Sequence, residues 1–391
     1  MTSRARKTLF GEWWWTVDRL LLAAFLLLIG GGVVMSFAAS PAVATRIGVD
    51  PGHFVERHLL FLVPAIVVML GVSFLSPKVV RRVCLVLFVV FLAALAATLV
   101  IGVEIKGARR WIHLPAIGSF QPSEFLKPAF VVVVAWLMSE RMTRPDVPGN
   151  MLAFAVLAVV VALLAQQPDF GQTMLIAGVW SAMFFIASMP WVWVFVIGAG
   201  GAGLVGAAYL TLPHVASRIN RFLSGSGDTF QTDAALEAIS RGGWFGRGPG
   251  EGTVKRILPD SHTDFIFAVT AEEFGIAVCL VVVLLFGFVL MRGLWHALKV
   301  DDPFCRVASS GLVTLFGMQS AINMAVNLHL VPAKGMTLPF VSYGGSSMIA
   351  VAFSMGLVLA LTRRRPRVQS MRAYEPTRPA PAAGTPREAT A

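Results

Sequence analysis

Leu258-Pro259-Asp260-Ser261-His262-Thr263-Asp264-Phe265-Ile266-Phe267-Ala268 marks the point where a long polar loop turns back into an apolar run that continues to Met291. As a helix, residues 265–291 extend about 40 Å, more than the ~30 Å hydrocarbon core of a bilayer. The run reads as a membrane span, with Asp264 at the membrane surface. Similar apolar runs occupy residues 20–39, 59–75, 83–103, 122–138, 151–166, 173–189, 191–212, 307–330 and 344–361. The expected fold is all-α: a polytopic integral membrane protein of about ten helices, with a large loop between helices 7 and 8. Only Pro190 separates the sixth and seventh runs. Merging them would put the termini on opposite sides of the membrane.

Composition supports this class. The chain has 391 residues, 56% hydrophobic and 14% charged, against roughly 25% charged in soluble domains. With the N-terminus inside, the inner segments hold 19 Lys and Arg against 8 Asp and Glu, and the outer ones 13 against 13. The whole +11 excess therefore falls on the inner side, as the positive-inside rule requires. The basic residues sit at span ends, where an anionic leaflet accounts for them better than nucleic acid does. The first run is too long for a signal-peptide core, and Trp13-Trp14-Trp15 beside it reads as an interfacial anchor. Cys84, Cys279 and Cys305 offer neither a disulfide framework nor a zinc spacing.

The expected layout is an inner segment 1–19, a membrane domain 20–362 and a disordered inner tail 363–391. Within the membrane domain, 213–264 forms the large outer loop, with a short helical pattern at Ala234-Ala235-Leu236-Glu237-Ala238-Ile239. Two glycine-rich segments mimic nucleotide motifs. Gly198–Gly203 lies mid-span with no preceding strand, so it reads as helix packing; Gly246–Gly252 lacks a Gly-Lys-Ser/Thr ending and reads as a flexible outer turn.

Ionisable residues at membrane depth are functional candidates by default. Arg109, Arg110 and Trp111 precede the fourth span, which opens with Glu124 and Lys127, three apart and able to pair on one face. Asp169 ends the fifth span, His262 and Asp264 open the eighth, and Lys334 precedes the last. Each also has a plainer reading. The arginines can be solvated charges, Trp111 an interfacial anchor, Glu124–Lys127 a structural pair, Asp169 a helix cap and His262 a surface residue. Gly344-Gly345 and the serines near them can be helix packing. For Asp264 the choice is between a helix cap and a general base, since a helix dipole lowers a carboxyl pKa and burial raises it. Glu272 and Glu273 must face the interior, pair, or lie above the lipid.

Five motifs, in order along the chain, resemble the SEDS family (shape, elongation, division and sporulation). They are Gly107-Ala108-Arg109-Arg110-Trp111-Ile112, Gln121-Pro122-Ser123-Glu124-Phe125, Pro168-Asp169-Phe170-Gly171, His262-Thr263-Asp264-Phe265-Ile266-Phe267-Ala268 and Ser342-Tyr343-Gly344-Gly345-Ser346. Pro332-Ala333-Lys334-Gly335-Met336, Phe170 and Gly243-Trp244-Phe245-Gly246-Arg247-Gly248 are more similar to the division branch than to the elongation branch. The resemblance implies a peptidoglycan glycosyltransferase that polymerises lipid II onto an undecaprenyl diphosphate-linked glycan at the periplasmic face of the inner membrane. It implies a catalytic Asp264, with Arg109, Trp111, Glu124, Lys127, Asp169, His262 and Lys334 around the substrate. Expected partners are a class B penicillin-binding protein, the division transpeptidase, and other divisome proteins. The sequence offers no dedicated carboxylate cage and leaves a divalent cation, Mg or Mn, open. A lipid II transporter and a non-catalytic divisome scaffold stay open as alternatives.

Overall fold

The computed structural model describes residues 8–105, 108–114, 118–187, 191–211, 216–217, 220, 230–332 and 335–363. Twelve helices are described: α1 (Leu9–Thr16), α2 (Arg19–Arg46), α3 (His53–Ser73), α4 (Pro77–Ile101), α5 (Pro122–Thr143), α6 (Gly149–Gln166), α7 (Phe170–Ile186), α8 (Trp191–Thr211), α9 (Phe230–Gly242), α10 (Ile266–Leu298), α11 (Pro303–Asn327) and α12 (Gly345–Leu361). A helix overlaps each apolar run of the sequence, and α7 and α8 are separate. By length and composition, six of them (α2, α3, α4, α5, α6 and α10) can cross a membrane. The tail beyond Arg363 and residues 221–229 of the large loop lie outside the described residues.

The bundle is organised around α5 and α12, whose surfaces are almost wholly buried. Small residues let α12 approach α3 closely: a Cβ at Gly356 would lie 2.6 Å from the Met69 carbonyl oxygen, and one at Gly345 2.7 Å from the Phe61 ring. α3, α4 and α6 leave rows of Val, Leu and Phe exposed, the surface that lipid would cover.

Three features depart from the sequence reading. Residues 103–120 are not a plain loop. Strands β1 (Val103–Ile105), β2 (Ala108–Leu114) and β3 (Gly118–Phe120) form a small antiparallel sheet between α4 and α5. The tryptophan triplet divides its work: Trp13 is buried and donates to Ser73 Oγ at 2.8 Å, while Trp14 and Trp15 stay exposed beside Arg19.

The third departure is the glycine turn, which is fixed in place. α10 breaks at Gly275 (φ 81, ψ 173), and residues 243–248 are spliced into the gap. Arg247 and Gly248 N–H groups donate to the Glu272 and Glu273 carbonyls at 2.9 and 3.0 Å. Ile276 and Ala277 N–H groups donate in turn to the Gly243 and Trp244 carbonyls at 2.9 and 3.2 Å. The loop thus takes up four of the backbone groups that the helix break orphans. Below the break, Ile276 to Leu298 alone gives ~34 Å of helix, enough for the hydrocarbon core.

Candidate functional site

Two non-helical segments meet at one end of the bundle. The first, residues 258–265, is held at Leu258 by Arg46, whose Nη1 donates to its carbonyl at 3.2 Å. It turns at Asp260 (φ 53), whose carbonyl accepts the N–H groups of Thr263, Asp264 and Phe265. The second, residues 335–344, packs against it through a bond from Tyr343 N–H to the His262 carbonyl at 2.9 Å. Non-helical backbone at membrane depth requires such internal partners. Two asparagines, one turn apart on α11, supply more. Asn323 Nδ2 donates to the Asp264 and Met336 carbonyls at 2.9 and 2.6 Å, and Asn327 Nδ2 to the Asp264 carbonyl at 3.0 Å. Asn327 Oδ1 accepts the Ala268 N–H at 3.0 Å, the first turn of α10.

Asp264 is therefore fixed by its backbone, with its side chain partly exposed. It does not cap α10: Phe265 takes the cap position, with no side-chain capping bond. A Cβ built on Gly335 would lie 3.6 Å from Asp264 Oδ2, so the chain at Gly335 passes beside the carboxylate. Lys334 itself lies outside the described residues.

Behind Asp264 runs a buried polar network. Lys127 Nζ donates to Glu124 Oε1 and Gln319 Oε1, both at 2.9 Å. Glu124 also accepts from Gln172 Nε2 at 2.8 Å and Ser347 Oγ at 3.2 Å, and Ser347 Oγ meets Thr337 Oγ1 at 2.8 Å. Gln319 Nε2 reaches the Thr337 carbonyl at 3.2 Å, joining the network to the second non-helical segment. The cavity beside Lys127 and Gln319 is about 20 Å³, far below the ~300–1,000 Å³ of ligand pockets. In this arrangement both charges are taken up by protein partners.

Asp169 caps α7, accepting the Gln172 N–H at 3.3 Å. Burial pushes its carboxyl up, against the pull of the Arg110 guanidinium 3.7 Å away. Arg110 also donates to the Gln167 and Pro168 carbonyls at 3.3 and 2.6 Å, and so pins the α6–α7 turn. Adjacent residues of a strand point to opposite faces, so Arg109 turns outward. It is half exposed, 3.4 Å from Glu104 on the neighbouring strand. Trp111 lies two residues along β2, partly exposed. His262 is buried, its ring 4.5 Å from Phe54 and 5.3 Å from Tyr343 between centroids. Burial lowers its pKa to about 4, leaving the ring neutral.

The structure thus brings Glu124, Lys127 and Asp169 into one network and links that network to the Asp264 backbone. Arg109 and Trp111 lie on the sheet above it, and the His262 ring turns into an aromatic packet. The sequence reading did not single out Gln172, Gln319, Asn323, Asn327 or Thr337, and Ser347, read there as helix packing, hydrogen-bonds to Glu124 and Thr337. Glu272 and Glu273 are interior and paired. Glu272 accepts the N–H groups of Thr253, Val254 and Lys255 at 2.7, 2.8 and 3.1 Å, and Glu273 pairs with Lys255. Among the described residues no group of three or more His, Cys, Asp or Glu could hold a metal ion.

The family model described as "Cell cycle protein", FtsW/RodA/SpoVE, matches residues 18–366. The chain belongs to this family. Within the family, the chain is 46% identical over 368 residues to a probable peptidoglycan glycosyltransferase FtsW of Caulobacter vibrioides, covering 93% of this chain and 94% of that one. It is 34% identical to a protein of the same name from Trichlorobacter lovleyi, over 84% of this chain and 89% of the other. Among solved structures, a chain of a peptidoglycan synthase complex that coordinates polymerization and crosslinking superposes with TM-score 0.75 at 27% identity, over 88% of this chain and 97% of that one. The rod shape-determining protein RodA of Thermus thermophilus superposes with TM-score 0.66 at 28% identity, over 88% and 96%.

Proposed function

We propose that this FtsW/RodA/SpoVE family member is a peptidoglycan glycosyltransferase of cell division, polymerising lipid II at the periplasmic face of the inner membrane. The observation that carries the mechanism is Asp264: a partly exposed carboxylate whose backbone is bound by Asn323 and Asn327 and backed by the Glu124–Lys127 network. In the proposed reaction, the 4-hydroxyl oxygen of the acceptor's GlcNAc attacks the donor's anomeric carbon and inverts it. The bond from that carbon to the diphosphate breaks, and its electron pair leaves with undecaprenyl diphosphate. Asp264 takes the hydroxyl proton. Arg109 and Lys334 are the proposed cations for the diphosphate, because Lys127 is already engaged by Glu124 and Gln319. Trp111 offers an indole face to a sugar. Glu124 and His262 act by holding the two non-helical segments, and Asp169 by fixing the α6–α7 turn with Arg110.

The same reading gives ten spans, both termini in the cytoplasm and the large loop in the periplasm, as the charge distribution favours. It expects a class B penicillin-binding protein beside the bundle at the septum. Purified protein reconstituted with that transpeptidase on labelled lipid II tests it. Wild type should give long strands, and a folded Asp264→Asn variant should lose about 10²–10⁴-fold in rate. Unchanged polymer output would overturn the assignment. Lipid II crossing proteoliposomes without polymer formation would favour the transporter. Metal chelation, with restoration by Mg or Mn, tests a cation at the diphosphate.

A further inference from the structure

At the end of the bundle opposite Asp264, the start of α4, the last turns of α5 and the start of α11 surround a cavity of about 290 Å³. Arg81, Ser139, Glu140, Thr143, Arg144 and Asp302 line it, and none of them takes part in the site above. Arg81 sits over Phe304, its Cζ 4.1 Å from the ring centroid. Its Nε is buried with no hydrogen-bond partner among the described residues. Its Nη1 is 3.8 Å from Glu140 Oε1, beyond hydrogen-bond range. A buried donor without an acceptor is costly, and a guanidinium held over a ring has little freedom to turn toward one. The acidic residues are only partly used. Glu140 accepts from Trp136 Nε1 at 3.0 Å and stands 4.0 Å from Arg144 Nε, and Asp302 gives one oxygen to the Cys305 N–H at 2.8 Å.

We propose that this cavity seats the zwitterionic phosphoethanolamine headgroup of a phospholipid, its phosphate on Arg81 and Arg144 and its ammonium on Glu140 and Asp302. Three observations select this ligand. The cavity lies at helix ends, where headgroups lie, and Val79, Leu85, Val86, Val89 and Val90 of α4 run from it as exposed apolar surface for acyl chains. Two cations beside two carboxylates match a phosphate next to an ammonium. They oppose free phosphate and a purely anionic headgroup, and a choline headgroup has no N–H for the carboxylates. The volume reaches the low end of ligand pockets, ~300 Å³. Basic pockets between spans bind anionic headgroups; here the two carboxylates beside the arginines shift the match to a zwitterion.

The test is native mass spectrometry of the purified protein after exposure to an equimolar mixture of phosphatidylethanolamine, phosphatidylglycerol and phosphatidylcholine. Wild type should retain phosphatidylethanolamine preferentially, and Arg81→Gln should weaken that retention about fivefold, the factor for ~1 kcal/mol per basic residue at a membrane surface. Glu140→Gln should remove the preference over phosphatidylglycerol. Should Arg81→Gln fail to fold, Asp302→Asn, which keeps a capping side chain, carries the same expected loss of preference. No preference in wild type, or a preference that survives these substitutions, overturns the proposal. So does millimolar inorganic phosphate that displaces the lipid at the same residues, which would make this a free-anion site.

Discussion

Glu124 and Lys127 are buried almost completely, and each is satisfied by the other and by amides and hydroxyls from α7, α11 and α12. Taking away one member strands the other charge. Lys127→Met should cost about 3–5 kcal/mol of unfolding free energy, and Glu124→Gln combined with Lys127→Met should recover part of it, both read by denaturation in detergent. His262 gives a pH signature. Burial holds its folded pKa at about 4 against 6.5, so below pH 6.5 the unfolded chain takes up a proton that the folded chain refuses. Its contribution is full above pH 6.5 and is lost as the pH falls toward 4, by at most ~3 kcal/mol. Stability measured from pH 4 to 7 should flatten in His262→Phe; an unaltered slope would refute this. The Glu124–Lys127 pair was legible because three-residue spacing on a helix is a local pattern. Gln319 was not, because it meets Lys127 across 192 residues of chain, and no periodicity records such a contact.

At the scale of elements, the break in α10 is the most exacting feature. Gly275 has a backbone conformation that side chains oppose, and a Cβ there would lie 2.4 Å from the Trp244 carbonyl oxygen. Gly275→Ala should expel residues 243–248 from the break. The expected readout is faster tryptic cleavage at Arg241, Arg247, Lys255 and Arg256, with a loss of stability above 1–3 kcal/mol from backbone strain alone. Cleavage at the wild-type rate would show that the splice is unimportant. The apolar run that holds Gly275 reads as one continuous helix, because hydropathy reports burial and says nothing of hydrogen bonds to a distant loop. The sheet at 103–120 escaped for a related reason. Its strands are three to seven residues long, too short for alternation to stand out beside charged neighbours.

For the whole molecule, the apolar runs sufficed to locate ten of the twelve described helices, all but the short α1 and α9, since length and hydropathy are what a bilayer demands. Sidedness came from Lys and Arg counts and is open to direct measurement. The native cysteines Cys84, Cys279 and Cys305 are all buried, so an added thiol reports alone. Phe245→Cys, in the loop that carries the exposed Phe245, should react with an impermeant maleimide from outside intact spheroplasts. Lys299→Cys at the far end of α10 should react only after permeabilisation; the reverse pattern would invert the topology.

The break at Gly275 has one more effect. It divides α10 into a rod long enough to cross a membrane and a nine-residue arm, Ile266 to Phe274, that leads directly to Asp264. The arm is bolted to residues 243–256 by carbonyls and carboxylates of Glu272 and Glu273. The same loop also binds the rod, its Gly243 and Trp244 carbonyls accepting the Ile276 and Ala277 N–H groups, so it braces arm and rod across the glycine. Freeing the loop would therefore unbrace the arm, and with it the backbone that carries the acid.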